Sequence, residues 1–148
     1  MTPPSSSSIT RESLSVADTE SLAGELAQTL RGGEVIALHG ELGAGKTQFV
    51  RGLVRGLSGN PKSVSSPTFV LLNVYDTGRL TVYHLDAYRV AGGDDFEAIG
   101  FAELLEQGGV VVVEWAGRVA DLLPIERIDV TLEPLAETVR RVTISRAS

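Results

Sequence analysis

The chain has 148 residues, of which 43% are hydrophobic and 22% charged, and its formal net charge is −6. The absence of cysteine excludes disulfides, thiolate chemistry and cysteine-based zinc sites, and no apolar run reaches the roughly 18 residues of a membrane helix, so we expect a cytoplasmic protein. An acidic chain is poorly suited to hold nucleic acid alone, because neutralising phosphates requires clustered lysines and arginines.

The N-terminal third of the chain is predicted to contain a tail and one helix. Residues 1–9 are mostly proline, serine and threonine, and we expect them to form a disordered tail before a single domain at residues 10–148. Asp18 is predicted to cap a helix from Thr19 to about Leu30. The glycines at positions 32 and 33 are predicted to end that helix.

A short strand and a second helix are predicted next, on either side of a glycine-rich segment. Val35–Leu38 is a continuous apolar run, typical of a buried strand. The following helix is predicted to begin near Lys46 and to bury Phe49, Leu53 and Leu57 along one face. The spacing thus predicts a strand, a loop and a helix in immediate succession.

The rest of the chain is predicted to be mainly strands. Apolar or alternating runs predict strands at Phe69–Tyr75, Leu80–Asp86, Val110–Val113, Ile128–Glu133 and Val139–Ser145. The first two are expected to form a hairpin, and a helix interrupted near Gly100 is expected over Asp94–Gln107. The valine run is typical of a strand covered on both faces. These elements favour an α/β sheet, mostly parallel at its centre, with antiparallel strands at its edges.

The segment Gly40–Thr47 matches the phosphate-binding pattern G-x-x-x-x-G-K-[ST]. Glycines allow successive backbone N–H groups to point at an anion, and the helix that follows adds its positive end. Lys46 would bring a positive charge to the β and γ phosphates, and the Thr47 hydroxyl would contact the magnesium ion bound between them. The alternative is a glycine-rich turn without a ligand. The predicted fold is therefore a three-layer, P-loop NTPase-like α/β fold with helices on both faces of the sheet.

Two acids at predicted strand ends are candidates for the same site. Glu114 ends the valine run, and Asp86 ends the Leu80–Leu85 run. Spacing does not rank them, and both could serve, one on the metal and one on the attacking water. The alternative for each is a strand-end carboxylate that caps a helix or meets solvent.

Four further residues have two interpretations each. Thr68, in the segment Ser65–Thr68, lies where many switch proteins fold over a γ-phosphate, or it belongs to a polar turn. His39 and His84 are single histidines within strands, and for each a structural role is favoured over a catalytic one. Trp115 either belongs to the core or lies beside the nucleotide.

Four motifs give the sequence a resemblance to the TsaE (YjeE) family over about residues 14–144. They are HGELGAGKT at 39–47, SSPTFVLLNVY at 65–75, VYHLDAYR at 82–89 and VVVVEWAGRV at 110–119. One departure is local: Ala116 stands where the family often has proline or glycine after the tryptophan. The resemblance implies a P-loop ATPase of tRNA threonylcarbamoyladenosine synthesis that binds Mg-ATP or Mg-ADP.

The resemblance also implies roles for particular residues. The expected catalytic residues are Lys46, Thr68, Asp86 and Glu114, with Asp86 at the family's Walker B-like position, and the expected magnesium ligands are Thr47, Asp86 and Glu114. The residues expected to bind the nucleotide are Glu41, Leu42, Gly43, Ala44, Gly45, Lys46, Thr47, Gln48 and Trp115. Ser66 accompanies Thr68 in the expected switch.

The resemblance further implies partners. Family members are weak ATPases alone and act with TsaB and TsaD on tRNAs that read codons beginning with adenine, and hydrolysis is expected to reset the complex. Contact with tRNA would then come mainly through the partners, in keeping with the acidic charge. Two alternatives are a small-molecule kinase on the same scaffold and a non-catalytic, nucleotide-gated adaptor.

Overall fold

A mixed sheet of seven strands is the framework of the molecule. The computed structural model describes residues 6–41, 45–64, 72–87 and 100–147. The strands are β1 Ser6–Ser13, β2 Val35–His39, β3 Leu72–Tyr75, β4 Val82–Asp86, β5 Val110–Glu114, β6 Ile128–Pro134 and β7 Arg140–Ala147. Their order across the sheet is β1-β7-β6-β2-β5-β4-β3.

Strand direction divides the sheet into a parallel centre and antiparallel edges. β2 runs parallel to both β5 and β6, and β5 runs parallel to β4. The pairs β1–β7, β6–β7 and β3–β4 are antiparallel. This arrangement confirms the mixed α/β sheet expected from the sequence, including the β3–β4 hairpin.

Helices cover both faces of this sheet. Among the residues that the structure describes, the α-helices are α1 Val16–Ala27, α2 Lys46–Gly56 and α3 Phe101–Leu105, and two 3-10 helices span Pro61–Ser63 and Ala116–Leu122. None of the helices in the described ranges is both long and apolar enough to cross a bilayer. For the helix predicted at Asp94–Gln107, Gly100 precedes α3 in a left-handed conformation, with φ of 81°, and the part at 94–99 lies outside the described residues.

The valines of β5 alternate between two separate hydrophobic cores. Val110 and Val112 pack in the cluster that includes α1 and α2, whereas Val111 and Val113 pack in the cluster that includes α3 and the second 3-10 helix. All four side chains are buried, as predicted for a strand covered on both faces. Each contributes roughly 1.5–3 kcal/mol by leaving water, so β5 is held firmly between the layers.

Glycines bring α1 and α2 into close contact. A Cβ atom added at Gly52 would lie 2.3 Å from the backbone oxygen of Glu20, and one at Gly56 would lie 2.7 Å from Cβ of Ala27. The helices can approach this closely because neither position carries a side chain. The contact fixes α2, whose first residue is Lys46.

Two predictions near the N-terminus were wrong. The helix is capped by Ser15, whose hydroxyl accepts from the N–H of Asp18, while the Asp18 carboxylate accepts from the N–H of Leu14. Asp18 thus lies inside the first turn and helix α1 starts three residues earlier than predicted. The predicted disordered tail at residues 1–9 is also wrong for residues 6–9, which begin β1. Their order comes from antiparallel pairing with β7, a contact that local composition does not indicate.

Candidate functional site

Parallel strands bring three predicted site elements to one edge of the sheet. β2, β4 and β5 run in the same direction and end at His39, Asp86 and Glu114. The chain beyond β2 leads through the glycine-rich segment into α2. Open α/β sheets bind ligands outside the carboxyl ends of such strands, so this edge is the candidate site.

The N-terminus of α2 is suited to an anion. Gly45 caps the helix in a left-handed conformation, with φ of 100°, and no side chain caps it. The first intrahelical bond runs from Phe49 N–H to the Gly45 carbonyl, so the preceding N–H groups have no partner within the helix. The first turn contains no acidic residue. A negative ligand would therefore meet both free donors and the positive end of the helix dipole.

Lys46 places a buried ammonium group at this helix end. Its side chain is 6% exposed, and its Nζ lies 3.8 Å from Glu114 Oε1 and 3.9 Å from the centroid of the Trp115 ring. Within the described ranges this Nζ has no hydrogen-bond partner, because 3.8 Å is an ion-pair distance. Burial lowers the pKa of Lys46, and the nearby charges of Glu114 and Asp86 oppose that shift. A buried, under-bonded cation of this kind is ready to accept an anionic ligand.

Glu114 is held by a histidine on the next strand. His84 Nε2 lies 2.5 Å from Glu114 Oε2, and His84 Nδ1 lies 3.2 Å from the Tyr75 hydroxyl. His84 is fully buried. Sequence reasoning interpreted His84 as structural and missed its contact with the site. The available signal was its position on the same strand face as Asp86, two residues away.

Asp86 and Glu114 form a pair of buried carboxylates. They are direct neighbours in the β4–β5 register and are 3% and 4% exposed. In the described part of the chain, no three histidine, aspartate or glutamate side chains are placed so that they alone could hold a metal ion. A metal here would therefore complete its shell with hydroxyl, phosphate or water oxygens, as magnesium commonly does.

Trp115 has a strained backbone at the edge of the site. Its φ is 57°, a left-handed conformation that is uncommon for a bulky residue. This turn redirects the chain from β5 into the 3-10 helix and buries Ala116 completely. Ala116 stands where the family often has proline or glycine, and the turn does not require either residue there, because Trp115 itself adopts the left-handed conformation.

One cavity adjoins the start of α2, and another adjoins the carboxyl ends of β2 and β5. One, of about 330 Å³, is lined by Gly45 and Gln48, by the start of α1 and by the β6–β7 turn, including Thr138. The other, also about 330 Å³, is lined by Glu41 and Trp115, among others. Thr47 lies partly exposed in the first turn of α2.

The structure thus brings together Lys46, Asp86, Glu114 and Trp115, and places Gly45, Thr47 and Gln48 beside them. Other predicted site residues lie outside the described ranges, namely Leu42, Gly43, Ala44, Ser66 and Thr68.

This site, with a cationic helix end facing paired acids, defines a class of protein able to hold an anion together with a cation. Comparison with known proteins assigns the family. The family model for the threonylcarbamoyl adenosine biosynthesis protein TsaE matches residues 13–142, so the chain belongs to the TsaE family. This result confirms the resemblance seen in the four motifs.

Individual relatives agree with this assignment. A Treponema pallidum tRNA threonylcarbamoyladenosine biosynthesis protein TsaE is 44% identical over 90% of this chain and 97% of its own length. The protein of the same name from Aquifex aeolicus is 45% identical over 87% of this chain and 90% of its own. The crystal structure of Bacillus subtilis YdiB has a TM-score of 0.79 and 28% identity, covering 97% of this chain and 88% of that one.

Proposed function

We propose that this TsaE-family chain is a Mg-dependent ATPase with a P-loop NTPase-like fold, and that it takes part in forming threonylcarbamoyladenosine in tRNA. The observation that carries the proposal is the buried Lys46 ammonium, which lacks a hydrogen-bond partner in the described ranges and lies beside two buried carboxylates. Family membership supports the pathway. The site chemistry supports the reaction type.

The first step is binding of the phosphates at the start of α2. Backbone N–H groups of the first turn and the Lys46 ammonium donate to phosphate oxygens, because these groups have no competing partner in the helix. The same contacts would stabilise the charge that builds up as the γ-phosphoryl group is transferred, which is where electrostatic catalysis acts. Lys46 then exchanges its contact with Glu114 for contacts with phosphate.

The acids and Thr47 form a donor set that fits magnesium. Hard oxygen ligands suit this ion; Glu114 and Asp86 lie near the lysine, and Thr47 is the residue that follows it in α2. When bound, magnesium would draw negative charge away from the phosphate oxygens. Of the two acids, the one that does not hold the metal would orient the attacking water.

The nucleoside part of ATP is assigned to the cavity beside Gln48. Its wall includes Leu14 and Val16, which are 60% and 54% exposed and offer an apolar surface for a base. The opposite wall is the β6–β7 turn, which the Arg140 guanidinium braces by donating to three of its carbonyl oxygens, those of Ala136, Glu137 and Val139. A cavity of about 330 Å³ is within the range of small-ligand sites.

Partners follow from the family resemblance. We propose that the chain acts in the cytoplasm with homologues of TsaB and TsaD. The substrates would be tRNAs that read codons beginning with adenine, and the partners would make most of the contacts with them. The net charge of −6 supports this division, because an acidic surface repels the phosphate backbone. Hydrolysis would reset the complex between rounds.

The test is phosphate release from Mg-ATP, with and without the purified TsaB–TsaD pair. We expect release to rise with the partners and to fall at least about 100-fold in Lys46→Ala, because the variant loses the main charge on the phosphates. Lys62→Ala is the matched control, since Lys62 is an exposed lysine in the first 3-10 helix. Near-normal turnover in Lys46→Ala would refute the assignment.

Two other outcomes would indicate different functions. Tight nucleotide binding with no phosphate release in any mixture would indicate a nucleotide-gated adaptor. If ATP labelled in its γ-phosphate transfers the label to an added small-molecule acceptor, the protein is a kinase.

A further inference from the structure

A chain of buried polar groups lies behind the carboxylate of Glu114. It runs from the Tyr75 hydroxyl on β3, through the His84 imidazole on β4, to Glu114 Oε2 on β5. All three residues are at most 5% exposed. Burying polar groups is costly unless each is hydrogen-bonded, so these contacts define one arrangement of the side chains.

The hydrogen bonds have a defined direction. An ionised Glu114 only accepts, so His84 Nε2 carries the hydrogen and donates to Oε2. In the neutral ring Nδ1 then accepts from the Tyr75 hydroxyl. The tautomer and the ring orientation are therefore set from both sides.

The two oxygens of Glu114 have different surroundings. Oε2 is occupied by His84, whereas Oε1 faces the Lys46 ammonium at 3.8 Å. A glutamate has three rotatable bonds, and without the histidine its carboxylate could turn. One oxygen is thus anchored while the other stays directed into the site.

We infer that His84 is a positioning residue, held in place by Tyr75, which aims Glu114 Oε1 at the magnesium site. This inference rests on the proposed function for the identity of the metal, whereas the arrangement of Tyr75, His84 and Glu114 is independent of that function. Groups that hydrogen-bond to metal-binding side chains commonly change metal affinity by 10–100-fold when they are replaced. A histidine that only fills the core would not affect magnesium selectively.

The test compares two replacements of His84. His84→Gln keeps a donor near the position of Nε2, whereas His84→Asn keeps a polar group only near Nδ1. Magnesium is titrated into protein saturated with ADP, and Trp115 fluorescence reports binding because Trp115 is the chain's single tryptophan. We expect His84→Asn to raise the magnesium concentration at half-saturation about 10-fold or more and His84→Gln to restore it to within about threefold of the original. ADP affinity measured in EDTA should stay the same.

The chain offers a control outside the site. Arg127 also donates to a carboxylate, with Nε 3.2 Å from Asp129 Oδ1, but it lies before the amino end of β6, away from the carboxyl ends of the strands. Arg127→Gln should leave the magnesium titration unchanged. Should His84→Asn fold poorly, Tyr75→Phe removes only the hydroxyl that holds Nδ1 and should raise half-saturation about threefold, in keeping with the loss of an outer contact.

A second measurement separates this inference from the proposed function. In nucleotide-free crystal structures, Glu114 Oε1 should leave Lys46 in His84→Asn and stay near it in His84→Gln. An unmoved carboxylate in His84→Asn, or an unchanged magnesium titration, would overturn the positioning role. If the original protein binds no Mg-nucleotide at all, the proposed function fails, and the crystallographic comparison still decides the role of His84.

Discussion

The glycine contact between α1 and α2 allows a paired prediction on stability. Gly52→Ala would place a methyl group 2.3 Å from the Glu20 carbonyl oxygen, whereas Gly24→Ala would place one 3.8 Å from the nearest atom, the backbone oxygen of Gly52. Both positions lie inside helices and are in the same interface. The two variants therefore make the same chemical change with opposite expected results.

The magnitudes follow from these distances. Alanine is preferred over glycine in a helix by about 0.8–1 kcal/mol, so Gly24→Ala should raise the free energy of unfolding by about 0.5–1 kcal/mol. At Gly52 the same preference is outweighed, because the contacted atom is backbone and the helices must separate by about 1 Å to restore ordinary contact. We expect a net loss of about 2 kcal/mol or more.

The assay is urea unfolding followed by circular dichroism, with ATP affinity measured on the same samples. Separating the helices also shifts Lys46 on α2, and displacements of about 1 Å at a reacting centre can cost about 100-fold, so Gly52→Ala should weaken ATP binding too. A Gly52→Ala variant as stable as Gly24→Ala would refute the close approach of the helices.

Three further predictions concern the site. Burial lowers the pKa of Lys46 from its ordinary value of 10.5, so its contribution to stability is full above pH 10.5 and is lost as the pH falls through the lower pKa of the folded state. The unfolding free energy of the original chain, minus that of Lys46→Met, should therefore increase as the pH rises from that folded pKa to 10.5. A difference that does not change with pH would contradict the burial. Val16→Asp should weaken ATP binding but not binding of inorganic triphosphate, with Ile125→Asp as an exposed control, measured by calorimetry; equal effects on both ligands would remove the cavity as the base site. Glu114→Gln should raise the magnesium requirement about 10-fold or more, and comparison with Asp86→Asn in the same titration identifies the direct ligand as the acid whose replacement has the larger effect.

Local patterns predicted the centre of the fold well. The valine run of β5 and the stripe at Phe49, Leu53 and Leu57 are buried as expected, because apolar periodicity reports directly on which side chains must leave water. β1 was not predicted, because its serine-rich sequence carries no such signal. Its order depends on pairing with β7, from Ser6 opposite Ala147 to Ser13 opposite Arg140, and long-range pairing is not encoded locally.

The candidate site was predicted where a motif fixes chemistry and missed where geometry does. The phosphate-binding pattern led directly to Gly45 and Lys46, because each fixed residue has a physical task. His84 was missed because a lone histidine in a strand has many uses. Its register partner is Val112, and only the folded side chain shows that it reaches Glu114, two residues further along β5. Spacing likewise located Asp86 and Glu114 but not their adjacency across β4 and β5.

The position of β2 between two parallel neighbours has a consequence for hydrogen exchange. Its amides bond to β5 on one side and to β6 on the other, with a hydrophobic core above and below. Such amides exchange only when the whole domain opens, whereas those of the edge strands β1 and β3 exchange through smaller fluctuations. Glu114 ends β5, which is likewise paired on both sides, with β2 and β4. Ligand binding at the site should therefore protect β2 and β5 by the full amount by which it stabilises the domain.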